Sequence, residues 1–321
     1  MPASVAAGTG FVVRSGLPFP ADTTAELMID AIDAGLAPGF ATEVNGVAAP
    51  VLLAAVAARR PSATLGTGIV PLGSRSPATL AMEAATVAAL LEGPFLLGVG
   101  VSTPQVIERW HEADYTPTVD ATRSRLLQLR TLLDGGSQGP FALTAPPGPD
   151  VRLLLGALGP RMLDLAYTVA DGAIVNLTPA AALTSPPAGS VLYASVWAQA
   201  CDDAEWRARR EIAGYAVAGP YGRHLERIGY GATVARVQKL HADGRLREAP
   251  ASLPDDLVDA LYVGVDDLSD RLATYRTAGA TPIVIPVIGD DPVASIGRLI
   301  DHLGRARPSG PQDGPDPTEE A

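Results

Sequence analysis

The sequence predicts a (β/α)8 barrel, and three observations carry that reading. Eight short apolar runs rich in Val, Ile, Leu and Phe lie along the 321-residue chain, each followed by a stretch with helical spacing. Strands that alternate with helices imply parallel pairing through right-handed crossovers, because a right-twisted strand feeding a right-handed helix packs back onto the sheet only that way. Units of this number, spread over roughly 300 residues, favour a closed barrel over a doubly wound sheet. A composition of 47% hydrophobic and 18% charged residues supplies the material for an ample core.

Taken in order, residues 9–13 are a short apolar strand and 23–34 a helix capped by Asp22 or Thr23. A weaker second strand covers 40–44, its approach broken by Pro38 and Gly39, and an Ala-rich helix follows over 48–59. The third strand spans 63–69, and Ser76 caps a helix over 77–91. The fourth strand, 95–99, runs into a short helix that ends near Trp110. Apolar residues with Arg at helical spacing make 119–133 an amphipathic surface helix. Residues 134–150 are rich in Gly and Pro and read as a loop with a brief extended piece at 141–143. Strands at 151–155, 173–176 and 191–196 frame a helix at 160–169 and precede a charged helix at 202–217. From about 219 to 261 only short helical patterns occur, so a helical insertion precedes the last strand. The final unit is a helix at 267–278, a strand at 282–287 and a helix at 293–303. The barrel is expected to occupy 1–305 as one domain, with 306–321 a disordered acidic tail rich in Pro and Gly.

Charge and cysteine usage narrow the function. A net charge of -11, with Lys239 the only lysine, disfavours nucleic acid, which is bound through Lys and Arg against phosphate. Cys201 stands alone, so no intramolecular disulfide forms, and its neighbours Ala200 and Asp202 offer nothing to activate a thiolate. The beginning of the chain shows no signal pattern, and no apolar run approaches the ~20 residues of a membrane span, so a cytoplasmic location and no membrane partner are expected. Four scattered His residues make no metal site, and no Gly-x-Ser-x-Gly elbow occurs.

One local pattern points to a ligand. In LLGVGVSTPQVIERWH, residues 96–111, an apolar strand ends in Gly98 and Gly100, and Ser102 or Thr103 caps a helix that starts at Pro104. Bare backbone beside a helix N-terminus is a place where an anionic group docks on amide hydrogens. In a barrel the chemistry sits at the carboxyl ends of the strands. That draws in Arg14 and Ser15, Glu43 to Asn45, residues 68–71, 100–103, 157–161 and 176–178, Trp197 to Gln199 and residues 287–289.

Residues 65–111, LGTGIVPLGSRSPATLAMEAATVAALLEGPFLLGVGVSTPQVIERWH, resemble the luciferase-like flavin and deazaflavin oxidoreductases, most closely the actinobacterial branch that uses coenzyme F420. LLLGALGPRMLDLAYTVADGAIVN at 153–176 and GPYGRHLERIGYG at 219–231 agree with the same branch in order and spacing. The resemblance implies a barrel of the bacterial-luciferase type and F420 as cofactor, with FMN the alternative. It also implies a cis peptide at Gly68–Ile69 against the ring, and a cradle from Gly98, Gly100, Val101, Ser102 and Thr103. Ala157, Leu158 and Gly159 are then expected along the cofactor. Arg161 either pairs with phosphate or is a solvated helix residue, and Asn176 either binds the cofactor tail or caps the next turn. Asp171, Gly172 and Arg75 are expected to be structural. A homodimer is implied as well.

Hydride transfer also needs a proton donor or acceptor where charge develops on the substrate. Sugar-phosphate dehydrogenases of this family carry a His after the acidic residue of the second strand and a Glu after the fourth. Here Val44 and Thr103 stand in those places, which argues against sugar-phosphate oxidation. Glu43 is the best ionisable group at a strand end and is the candidate acid or base, with a structural carboxylate as the alternative. His111 is a second candidate. Asn45, Trp110 and Trp197 are expected to touch a small organic substrate. The readings that follow are an F420-dependent reductase, an FMN-dependent monooxygenase, or a barrel that has lost catalysis and serves as a binding protein.

Overall fold

The computed structural model describes residues 8–14, 20–116, 118–147 and 151–305. The tail expected beyond 305, and Ser15, lie outside them. Eight parallel strands close on themselves: β1 (Gly10–Val13), β2 (Gly39–Ala41), β3 (Leu65–Thr67), β4 (Phe95–Gly100), β5 (Val151–Gly156), β6 (Gly172–Val175), β7 (Val191–Gln199) and β8 (Thr281–Val287). Each pairs with its successor, and β8 returns to β1 with Gly10 opposite Ile283. The closed sheet has no exposed edge.

The outer ring comprises α1 (Ala21–Asp33), α2 (Ala49–Arg59), α3 (Pro77–Ala88), α4 (Val119–Leu133), α5 (Pro160–Val169), α6 (Ala204–Val217), α10 (Leu268–Thr277) and α11 (Pro292–Arg305). Between α6 and α10 lie α7 (Gly219–Leu225), a π-helical turn (Glu226–Tyr230), α8 (Gly231–Ala242) and α9 (Asp255–Leu261). Two starts follow the expected chemistry: Ser76 Oγ accepts from the Thr79 amide at 3.1 Å before Pro77, and Thr118 Oγ1 accepts from Ala121 at 3.1 Å. At α1 the cap differs. Pro20 precedes the helix and supplies only its carbonyl, to Thr24, which leaves Asp22 in the first turn.

Strand periodicity sorts the core into two layers. Residues such as Phe11, Leu97, Leu153 and Val196 face the helices. Their neighbours Val12, Phe40, Leu96, Leu154, Ile174 and Tyr193 fill the barrel, and Phe40 meets Tyr193 edge to face at 5.3 Å. The inner layer continues into the apolar faces of α6, α8 and α9, so the helices after β7 share the barrel's own core.

Three local features depart from the sequence expectation. β2 stops at Ala41, because Glu43 turns away to bind Arg75 and the start of α2. The third strand breaks after Thr67, and Val70–Pro71 resumes pairing on the end of β4. The segment after β4 is a six-residue π-helical turn, Gln105–Trp110, rather than an α-helix. A two-residue strand at Tyr262–Val263 also joins β7 just beyond the insertion, and Ser137–Gln138 pairs with Phe141–Ala142 in the loop before β5.

Candidate active site

The glycines that mark the sequence are explained first by packing. A Cβ on Gly98 would lie 2.0 Å from the Thr67 carbonyl oxygen and 2.6 Å from Ile174 Cδ1. Gly98 is thus enclosed by the barrel wall and presents nothing outward, which sets it apart from the cradle expected of it. Gly100 and Gly156 lie higher, and a Cβ on either would meet the Ile69 side chain at 3.2 Å. The Gly68–Ile69 peptide is cis, as the resemblance implied. Ile69 therefore lies across the bare ends of β4 and β5 and forms an apolar shelf at the barrel mouth.

The helix N-terminus expected beside this shelf is weaker than the sequence suggested. Its first amides are occupied: Val106 N donates to Thr103 O at 3.1 Å and Oγ1 at 3.4 Å, and Ile107 N donates to Thr103 O at 3.0 Å. Thr103 is the capping residue, so a docked anion would find Val101 and Ser102 but no open helix end. Ser102 adopts a left-handed φ of 60°, as does Leu177 at 51° after β6. Such backbone costs on the order of 1–3 kcal/mol per residue and persists where neighbours fix it. Tyr115 Oη donates to Ser102 O at 3.1 Å. His224 Nε2 lies 3.0 Å from Leu177 O and 3.0 Å from Thr178 Oγ1.

His224 joins the β5 and β6 loops. It is 3% exposed, and its Nδ1 lies 3.0 Å from Leu158 O, which also accepts from Arg227 Nη1 at 3.0 Å. Burial, reinforced by the Arg227 cation, holds the imidazole below its ordinary pKa. The Ala157 amide is committed to Ile174 O at 3.0 Å, so of residues 157–159 only the surface at Leu158 and Gly159 is open. Gly159 begins α5, and exposed Arg161 and Arg227 flank that start, with Arg227 3.5 Å from where a Gly159 Cβ would stand.

The candidate acid or base is tied on both oxygens. Glu43 accepts from Arg75 at 2.7 and 3.1 Å and from the Ala49 amide at 2.9 Å, and Arg75 Nε also reaches Glu83 at 3.2 Å. The carboxylate thereby joins the β2 loop, the β3–α3 loop and the first turn of α2. Its geometry is that of a structural clasp, and Arg75 orders the loop as expected. Asp171 is structural in the same sense at the opposite face, accepting from Leu153 N at 2.7 Å and from Arg130 at 2.8 Å. Asn45 and His111 are exposed, and Trp110 is 46% exposed on the π-helical turn, so these three lie at the outer rim.

The other side of the mouth is aromatic and was largely missed. Asn176 Oδ1 accepts from its neighbour Leu177 N at 2.9 Å and from Trp197 Nε1 at 3.1 Å. Of the two roles expected for Asn176, it fills the local one. Trp197 is 2% exposed and meets Tyr215 edge-on at 5.7 Å, and Tyr215 meets Tyr221 at 4.6 Å. Both phenols are raised above their ordinary pKa, chiefly by burial. Arg14, at the end of β1, binds the two Glu211 oxygens at 2.8 Å each, one helical turn before Tyr215 on α6. Tyr221, His224 and Arg227 all lie within the GPYGRHLERIGYG segment, in which the sequence alone singles out no functional residue.

Together these features define a parallel α/β barrel with an apolar shelf on one side of its mouth, an aromatic wall on the other, and two exposed arginines, Arg161 and Arg227, beside the start of α5. The profile of the luciferase-like monooxygenase family matches residues 5–282, and the chain belongs to that family. A Mycobacterium tuberculosis protein, provisionally named a coenzyme F420-dependent oxidoreductase, is 28% identical over 330 residues, covering 88% of this chain and 95% of the relative. The fold is similar to the F420-dependent tetrahydromethanopterin reductase of Methanopyrus kandleri, with a TM-score of 0.71 at 20% identity over 92% of this chain and 97% of that one. It is also similar to an F420-dependent secondary alcohol dehydrogenase in complex with an F420–acetone adduct, with a TM-score of 0.67 at 14% identity over 94% and 99%. The chain is thus related to oxidoreductases of the F420 type, and no helix among the described residues is long and apolar enough to cross a membrane.

Proposed function

We propose that the protein is an F420-dependent oxidoreductase that reduces a small organic substrate at the mouth of the barrel. The observation that carries this is the shelf: Gly100 and Gly156 leave a recess that Ile69 covers, giving a flat apolar surface on which a deazaflavin ring can lie. The residues also fit the anionic part of such a cofactor. Arg161 and Arg227 stand exposed beside the first turn of α5, in a chain whose net charge is -11, and Val101 and Ser102 present backbone beyond the shelf. Bound there in its reduced form, F420 supplies a hydride.

The chain's own residues do the rest. Ile69 would support the ring and so help fix its distance from the substrate, and close approach of the reacting atoms is a large entropic aid to such a step. Tyr115 and His224 hold the loops that border it. Trp197 and the two tyrosines exclude water opposite the shelf. Glu43 stays outside the chemistry, occupied by Arg75 and Ala49. The relationship to luciferase-like monooxygenases makes FMN-dependent oxygen activation the rival outcome. Mixing the purified chain anaerobically with reduced F420 and a panel of carbonyl, imine and unsaturated compounds tests the proposal. Substrate-dependent reoxidation of the deazaflavin supports it, whereas turnover only with reduced FMN and oxygen overturns it.

A further inference from the structure

We propose that His224 is a positioning residue: its neutral imidazole, with the hydrogen on Nε2, pins the Arg227 guanidinium beside the start of α5 as a grip for an oxyanion, and protonation of the ring releases that arm. The identity of the anion rests on the cofactor reading above, while the arm itself consists of protein groups alone.

The acceptors around the ring decide where its hydrogen sits. Nε2 lies 3.0 Å from Leu177 O and 3.0 Å from Thr178 Oγ1, and the Thr178 hydroxyl donates to Asn176 O at 3.1 Å. A backbone carbonyl can only accept, so Nε2 carries the hydrogen. Nδ1 is then an acceptor, yet it stands 3.0 Å from a second acceptor, Leu158 O. Arg227 reconciles the two. Its Nη1 donates one hydrogen to Leu158 O at 3.0 Å and turns the other to Nδ1 at 3.2 Å. The opposite tautomer would serve Leu158 O, but it would leave Leu177 O against a bare nitrogen and Arg227 against an N–H. Nη1 thus spends both of its hydrogens, and among the described residues Nε and Nη2 donate to no protein acceptor. Nη2 lies 3.5 Å from where a Gly159 Cβ would stand, so the guanidinium rests against bare backbone at the start of α5. Its Nε–Nη2 edge is the one that holds an oxyanion through two parallel hydrogen bonds.

Protonation reverses this arrangement. An imidazolium donates from Nδ1 to Leu158 O directly and sets a second cation 3.2 Å from Nη1, so the guanidinium loses one acceptor and is repelled from the other. The other elements packed on the ring bring no charge to offset this. The β5 and β6 loops present the carbonyls and the Thr178 hydroxyl, and Tyr275 of α10 donates to Thr178 O at 3.0 Å. Arg223 and Glu226, beside the ring in sequence, and Arg161 and Asp164 on α5 are exposed, and Arg227 is the charged group against Nδ1. Burial and that cation hold the ring below its ordinary pKa, so release falls on the acid side of pH 6.5.

Nitrogen NMR of the histidine-labelled full chain, together with titration of sulfate, which stays dianionic from pH 5 to pH 8, tests the arm. His224 is assigned by the signal lost in His224→Asn. The expected neutral form carries its hydrogen on Nε2, and its titration moves to higher pH in Arg227→Met. Sulfate binding, followed at the Gly159 amide, should weaken about 10-fold as the ring protonates, as for loss of one charge-assisted hydrogen bond. In Arg227→Met it should be weak at every pH. His224→Asn keeps an oxygen acceptor near the place of Nδ1 and does not titrate, so it should bind sulfate equally at both ends of the range. An Nδ1–H tautomer, or a sulfate affinity that rises as pH falls, overturns the proposal, since the latter is the behaviour of a ring that merely adds a cation. F420 is titrated separately at pH 8 by quenching of its fluorescence. If it fails to bind while sulfate behaves as expected, the arm stands and the cofactor reading falls. If it binds while sulfate affinity is independent of pH, the arm falls and the cofactor reading stands.

Discussion

Glu43→Gln separates a structural carboxylate from a catalytic one. The Glu43 side chain is 9% exposed and its Arg75 partner 17%, so the pair is shielded from solvent on most sides. Removing one member of a buried ion pair costs about 3–5 kcal/mol, because the other charge is left uncompensated. Arg75 keeps its 3.2 Å contact with Glu83, and the glutamine retains one oxygen for the Ala49 amide, which brings the expected loss to or just below the bottom of that range, about 2–3 kcal/mol. In a chain of this size each kcal/mol moves the thermal midpoint by about 2 °C, so the variant should melt roughly 4–6 °C lower. Replacing Arg75 as well, in Glu43→Gln/Arg75→Met, should recover part of that loss, since no orphaned cation remains. Calorimetry on the four proteins of this cycle reads both quantities. A Glu43→Gln protein as stable as the parent, or a double variant whose loss equals the sum of the single ones, would refute the clasp.

Further outcomes follow from the same geometry. Gly98→Ala should fail to give a folded barrel, because its Cβ would stand 2.0 Å from Thr67 O, whereas Gly214→Ala in the last turn of α6 meets nothing within 4 Å and should raise stability by about 0.5–1 kcal/mol in urea unfolding. His224, whose folded pKa is depressed by burial, binds its proton less readily than the unfolded chain does. Its contribution is therefore fully present above pH 6.5 and is lost as pH falls from there toward the folded value. Comparison of urea midpoints at pH 7 and pH 5 should show a smaller drop in His224→Gln than in the parent, and equal drops would contradict the assignment. Cys201 is buried and its thiol is pushed up to about 11, so a disulfide reagent at pH 8 should modify it only on unfolding.

Much of the fold was legible because barrels repeat one short-range rule. Each strand is a local apolar run, each outer helix has its own helical spacing, and Ser76 caps where the sequence places it. The glycine pair was legible as unusual but not as to cause. Gly98 and Gly100 share one face of β4, and the sequence cannot say what stands against each, so Gly98, which yields to Thr67 and Ile174, looked the same as Gly100, which yields to Ile69. Glu43 was found by its place at a strand end, but its partner Arg75 lies 32 residues on, and only the closed barrel brings them together. The aromatic wall was hidden for the same reason. Tyr215 and Tyr221 lie on two helices beyond β7, and only folding stacks them on Trp197 near the end of that strand.

The shelf of Ile69 over Gly100 and Gly156 carries the cofactor reading, and a cofactor titration tests it most directly. The purified chain is titrated with F420 and, separately, with FMN, and each is followed by its difference spectrum and fluorescence. Saturable binding of F420 with one equivalent per chain, weakened in Ile69→Asp, is the predicted result. Tight binding of FMN with none of F420, or F420 binding that Ile69→Asp leaves unchanged, would contradict it.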